Sequence, residues 1–101
     1  MPLRGVRIVT VEEWLQLPLA TVNLSEMGAE VIRVETLSRI VVRNLGPYPE
    51  NQVGERFWNQ GGTHHTWSRS KKSVTLDLKT PEGQEAFKEL VSISDVVTEN
   101  N

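Results

Sequence analysis

The sequence predicts an α/β fold: a parallel sheet of about four strands with flanking helices, in one small domain. Three observations carry that expectation. Short runs rich in β-branched residues recur along the chain and place apolar side chains on both faces, as strands covered on both sides do. Segments with helical start and stop signals lie between them. The order strand, helix, strand occurs near both ends of the chain, and each such unit is expected to cross over in the right-handed sense.

The first strand is expected within Leu3 to Val11, "LRGVRIVTV", where Val6, Ile8, Val9 and Val11 supply both faces. A helix follows. Pro18 suits its first turn, where a missing N–H costs nothing. Leu19, Val22, Leu24 and Met27 form its apolar stripe, and Gly28 supplies a left-handed stop. Ala29 to Glu35, "AEVIRVE", distributes Val31, Ile32 and Val34 over two faces and reads as the second strand. The third strand is expected at Lys72 to Leu78, "KSVTLDL", with Val74, Leu76 and Leu78 on one face and Ser73, Thr75 and Asp77 on the other. Thr80 then caps a helix, with Pro81 at its first position and Glu82 complementing the positive end of the dipole. Ala86, Phe87, Leu90 and Val91 line its buried stripe. Ser94 to Asn100, "SDVVTEN", is the last strand.

Residues 36–70 differ from the rest. Glycines and prolines interrupt them, no period of 2 or 3.6 survives, and a loop of that length is expected to be functional or poorly ordered. Tyr48, Phe57, Trp58 and Trp67 imply that part of it packs against something. In bulk, the 101 residues are 38% apolar and 24% charged, which fits a soluble domain with a limited core. A formal net charge of −2 supplies no basic field for nucleic acid or an anionic membrane. No apolar run approaches spanning length, and "MPLRG" carries no signal-peptide apolar region. The absence of cysteine excludes disulfides and thiolate metal sites. A cytoplasmic setting is the resulting expectation.

Several residues invite a chemical role and are better read plainly. His64 and His65 are neighbours whose side chains diverge in most backbones, and no third ligand accompanies them, so they belong to an exposed loop and no metal site. Gly61-Gly62 lacks a preceding strand and the spacing of a phosphate-binding glycine loop, and reads as a turn. Asp77 faces solvent or anchors the backbone of a turn. For Lys71 and Lys72 two readings stand: a solvated strand edge, or contact with a phosphate. Trp14, Trp58 and Trp67 are packing or interface residues. Glu12, Glu13 and Glu99 are too scattered to make a carboxylate pair.

Taken together, "LRGVRIVTV", "GAEVIRVE", "KKSVTLDLKTPEG" and "SDVVTEN" resemble the amino-terminal domain of the family III CoA-transferases, the CaiB/BaiF group. That family includes formyl-CoA transferase, carnitine CoA-transferases and the α-methylacyl-CoA racemases. The resemblance runs from Leu3 to Asn100 and is weak across residues 36–70. It implies a Rossmann-like domain that binds coenzyme A. By position, Leu76, Asp77, Leu78 and Lys79 resemble a wall of the adenosine site, and Asn100 a contact to the cofactor. Leu15 and Gln16 match the loop that approaches the pantetheine, and Arg39 is the nearest candidate for a basic residue after the second strand.

The chain also departs from the family pattern. Gln16-Leu17-Pro18 stands where members usually read Ala-Gly-Pro, and Leu17 brings a side chain to a place of close backbone approach. Thr10 stands where many members have aspartate. The aspartate that forms the acyl anhydride in similar enzymes lies beyond the last strand, and nothing in these 101 residues matches it. The expectation is therefore an amino-terminal fragment without catalytic residues, inactive alone, whose parent transfers CoA between carboxylic acids through an acyl-aspartyl intermediate. Acyl-CoA racemisation is the alternative within the family. A non-enzymatic α/β remnant, serving as a nucleotide-binding or assembly module, is the alternative outside it. Its partners are expected to be CoA or an acyl-CoA and a second copy of the chain, since exposed sheet edges seek pairing.

Overall fold

The computed structural model of the chain describes residues 1–13, 15–36 and 62–100, without the side chains of 63 and 64. The described elements are β1 (Arg7–Val11), α1 (Gln16–Glu26), β2 (Glu30–Glu35), α2 (Gly62–Ser68), β3 (Lys72–Thr75), α3 (Pro81–Ser92) and β4 (Val96–Glu99). Every strand pair is parallel, and the strands lie in the order β3-β2-β1-β4. Thr10 of β1 pairs with Arg33 of β2 and Thr98 of β4, while Val34 of β2 pairs with Val74 of β3. The chain steps outward from β1 to β2 to β3, then returns past both to lay β4 on the far side of β1. Because the direction of travel reverses there, right-handed crossovers put α1 and α2 on one face of the sheet and α3 on the other.

The face beneath α1 and α2 divides along its length. Toward the amino ends of the strands, Ile8, Ala29 and Val31 form an apolar cluster, with Leu3, Val6 and Leu24 packed against it. Toward the carboxyl ends the same face carries Thr10, Glu12, Arg33 and Glu35, all buried. On the opposite face Val9, Ile32 and Val34 are buried. Gly28 ends α1 region at φ +107°, where any Cβ would also meet Met1 at 2.6 Å.

Four expectations need correction. Val22 is buried as expected, but Leu19 and Met27 are exposed; α1 instead buries Pro18, Thr21 and Ser25 along with it. The first turns of α1 lie over the charged end of the sheet, where a hydroxyl can satisfy a carboxylate and a leucine cannot. The stretch 36–70 is not irregular throughout, since α2 forms at its carboxyl end, a helix too short and polar to show a period. Exposed His65 therefore stands on a helix rather than a loop. Third, β3 ends at Thr75, and Leu78 to Thr80 turn directly into α3. Finally, Ala86, Phe87, Leu90 and Val91 are only half-buried.

Thr80 caps α3 as expected, its Oγ1 accepting from the Gly83 N–H at 3.0 Å, with Pro81 and Glu82 opening the helix. Gly83 is itself required, because a Cβ there would lie 1.8 Å from the Asp77 carbonyl oxygen. Thr80→Ala should cost about 1 kcal/mol, a fall in Tm of roughly 4–8 °C for a domain of this size. Gly83→Ala should cost more, since backbone rather than a rotamer must move; an unaltered melting curve for it would refute the contact.

At the opposite end of the sheet Glu30 pairs with Lys72 at 3.1 Å and Arg7 at 3.4 Å. The Lys72 hydrogen bond, aided by the Arg7 charge, holds the Glu30 carboxyl below its ordinary 4.5. Its contribution to stability is thus present above that value and lost as pH falls through the lower folded value. Acid titration of Glu30→Gln should show a shallower loss of stability below pH 4.5 than the parent chain.

Candidate functional site

In an open parallel sheet the strands' carboxyl ends and the loops after them enclose a crevice, deepest in consequence where the strand order reverses. Here the reversal lies between β1 and β4. The loop after β1, the end of β2, the turn after β3 and Asn100 after β4 all reach this rim. The outer two are separated by three strand spacings, roughly 14 Å. A cleft of about 210 Å³ opens along the rim. Val11, Val34 and Leu78 give it apolar walls, Glu13, Thr36, Asp77 and Lys79 edge it, and the buried Glu12, Arg33 and Glu35 form its floor.

That floor is a network of buried charges. The Glu12 carboxylate, whose side chain is 0% exposed, accepts from the hydroxyls of Thr10 at 2.9 Å and Thr21 at 2.6 Å. Its other oxygen accepts from Lys71 Nζ at 2.5 Å and lies 3.8 Å from Arg33 Nε. Lys71 Nζ also donates to the Pro18 carbonyl at 3.1 Å. Arg33 Nη1 donates to Ser68 Oγ at 3.2 Å and lies 3.8 Å from Glu35, which accepts from Ser73 Oγ at 2.5 Å. Burial pushes the Lys71 amine below its ordinary value, and the hydrogen bond and charge of Glu12 oppose that. Two carboxylates thus stand against two cations, so the cluster is neutral as a whole. Buried Arg33 Nε has no hydrogen-bond partner among the described residues, a donor left over at the floor of the cleft.

The structure distributes the expected site residues unevenly. Asp77, Leu78 and Lys79 line the cleft. Asp77 Oδ1 accepts from the Lys79 N–H at 3.0 Å, anchoring the turn, and the Leu76 N–H donates to the Glu35 carbonyl at 3.0 Å, tying that turn to β2. Asn100 is on the same rim, but its amide is occupied: Oδ1 accepts from the Glu13 N–H and Nδ2 donates to the Glu13 carbonyl, both at 2.8 Å. Leu15 and Gln16 are exposed at the start of α1, outside the cleft lining. Arg39, Tyr48, Phe57, Trp58 and Trp14 lie outside the described residues.

Neither reading of Lys71 holds. Its side chain is 1% exposed, bound into the floor rather than solvated or free for a phosphate. Lys72 reaches back to Glu30 at the amino end of the sheet, so among these basic residues Lys79 alone edges the cleft. The floor residues escaped the sequence reading. Their signal was present in "EVIRVE", where Arg33 and Glu35 share one face of a strand expected to be covered on both sides.

Compared with known proteins, residues 3–101 match CoA-transferase family III. The chain belongs to that family. It is 39% identical to mouse (Mus musculus) succinyl-CoA:glutarate CoA-transferase, over 98% of this chain and 21% of the relative. It is also 39% identical to the succinate–glutarate CoA-transferase of Agrobacterium fabrum, over 98% of this chain and 25% of that one. The crystal structure of a CaiB/BaiF family protein from Brucella suis superposes with a TM-score of 0.83 at 34% identity, covering 99% of this chain and 26% of that one. The chain therefore spans about a quarter of the length of the relatives it matches.

In this family III chain Thr10 and Glu12 point to the same face, and the Glu12 carboxylate sits against the Thr10 hydroxyl. Among the described residues, no three acidic or histidine side chains gather to hold a metal ion. No described helix is long and apolar enough to cross a membrane.

Removing one partner of a buried ion pair leaves the other charge uncompensated. Lys71→Met should therefore destabilise the domain by about 3–5 kcal/mol, whereas Lys71→Met/Glu12→Gln, which removes both charges, should recover most of that loss. Urea denaturation measures both; equal losses in the single and double variants would count against the pairing.

Proposed function

We propose that this chain forms the amino-terminal part of the coenzyme A site of a family III CoA-transferase. One observation carries the reading: Asp77, Leu78 and Lys79 share with Glu13 and its partner Asn100 the carboxyl rim of a parallel sheet beside its topological switch point. The cleft suits the adenosine end of the ligand. Its apolar walls, Val11, Val34 and Leu78, offer contact area to a flat base, and exposed Asp77 at its edge keeps Oδ2 to accept from an amino or hydroxyl group.

Charge decides which part of CoA belongs there. With the floor neutral through Lys71 and Arg33, Glu13 and Asp77 against Lys79 leave the lining net acidic, so phosphates are disfavoured within the cleft and belong outside, toward Lys79. Arg39 is proposed as a second phosphate contact, and Leu15, Gln16 and Asn100 as the side facing the pantetheine. CoA supplies the thioester chemistry when bound; these residues bind and orient it. Transfer of CoA between carboxylic acids through an acyl-aspartyl intermediate is proposed for the parent protein, with the aspartate outside the matched segment. The similarity to succinyl-CoA:glutarate transferases favours a small dicarboxylic acid as the acyl group.

A second copy of the chain is the proposed protein partner. β4 has no strand on its outer side among the described residues, and Ile93, Val96 and Val97 are 63%, 42% and 46% exposed there. Light scattering at high concentration should give a mass above that of the monomer.

Calorimetric titration tests the ligand reading. CoA and adenosine should both give saturable heats, with Lys79→Ala weakening CoA about two- to fivefold, the worth of one exposed charge contact, and leaving adenosine unchanged. A folded chain that takes up no CoA at millimolar concentration ends this proposal in favour of a non-enzymatic module.

A further inference from the structure

We infer that the buried Glu12–Lys71 ion pair is a latch that positions the loop after β1, so that the shape of the rim depends on a lysine that does not line the cleft. Lys71 is a positioning residue in this sense. Glu12 directly precedes Glu13, whose backbone N–H and carbonyl are both engaged by Asn100. The carboxylate is gripped from α1 by Thr21 and from β1 by Thr10, and from the junction of α2 and β3 by Lys71, 59 residues away in sequence. Lys71 also donates to the Pro18 carbonyl, so a single ammonium joins the β2–β3 connection to both ends of the β1–α1 loop.

The physical reason for such a pair is geometric rather than stabilising. A buried ion pair gains little net free energy over a well-packed apolar pair, because desolvation offsets the Coulomb attraction. It does penalise every arrangement that separates the partners, since each would then be a buried uncompensated charge. Among the described residues, the cation–carboxylate contacts outside the floor do not have that property: Arg69–Glu26, Lys72–Glu30 and Arg7–Glu30 are partly or largely solvent-exposed and restrain little. Among the described residues, the Glu12–Lys71 pair is the one that combines full burial and a direct hydrogen bond with a position next to the clamp that Asn100 closes, the Arg33–Glu12 contact being longer at 3.8 Å. Loss of the pair should release Glu13 and Asn100 together while leaving the centre of the sheet intact.

Amide hydrogen exchange on the full chain tests the latch without any ligand. In the parent chain the Glu13 amide, which donates to Asn100 Oδ1, should exchange at least about tenfold more slowly than a free loop amide. In Lys71→Met/Glu12→Gln, which carries no unpaired buried charge, it should exchange about tenfold or more faster, the factor carried by one charge-assisted hydrogen bond. Ile32 and Val34 should change less, and Lys71→Arg should stay near the parent. An unprotected Glu13 amide in the parent chain overturns the latch, and that measurement needs no variant to fold. So does a double variant in which all amides accelerate by a common factor, the mark of a merely structural role.

A CoA titration of the same proteins adds the link to the site and rests on the function proposed above. If the parent binds CoA, the double variant should bind about tenfold more weakly, with Lys71→Arg close to the parent; equal affinities would overturn the latch as a determinant of the site. If the parent binds no CoA, the functional proposal fails and exchange alone decides the latch.

Discussion

A neutral set of buried charges, Glu12 and Glu35 against Lys71 and Arg33, is the constraint around which the carboxyl half of this domain is arranged. Each charge is costly to bury alone and tolerable only with its partners at hydrogen-bonding or close electrostatic distance. Position therefore becomes shared among distant segments. The loop after β1, the first turns of α1, the end of β2 and the residue before β3 must all arrive together, or a charge is stranded. The polar inner face of α1, with Thr21 buried where a leucine would be ordinary, is a direct consequence.

The same constraint separates two tasks along the sheet. Its amino half holds the domain together through Ile8, Ala29, Val31 and the side chains packed on them, the apolar burial that drives folding. Its carboxyl half gives up apolar contact for a fixed arrangement of donors and acceptors beneath an open cleft. A small domain has little apolar surface to spare, so committing half of one sheet face to charge is expensive, and it makes sense where that half borders a binding surface. The turn after β3 follows the same logic. Thr80 and Asp77 fix its backbone, and Gly83 lets α3 start in contact with it.

Membership of CoA-transferase family III fits this division, since its sequence match covers nearly all of the chain and the sheet topology places loops where such a ligand settles. The acidic balance of the cleft then sharpens the expectation drawn from the lysines. On the proposed function, the phosphates sit at its margin near Lys79 and the uncharged adenosine within it. The exposed apolar side chains of β4, Val96 and Val97, are where a second copy of the chain is proposed to pack.

Local signals sufficed for much of this protein. The alternation of β-branched runs with capped helices, the Thr80 cap, the Gly28 stop and the Asp77 anchor were all legible in sequence, because each depends on residues only a few positions apart. The placement of Asp77, Leu78 and Lys79 in a turn after the strand came from the family resemblance, whereas the alternation carried the strand on to Leu78, past its end at Thr75. What the sequence could not reveal was the partner of each buried charge. Lys71 looked like a solvated strand edge or a phosphate ligand, and Glu12 like one of several scattered acids. Fifty-nine residues separate them, and only the crossover that brings β3 beside β2, with α1 laid over β2, puts ammonium against carboxylate. Residue type determined that each charge would need a counter-charge once buried; tertiary structure alone decided which would be buried, and against which.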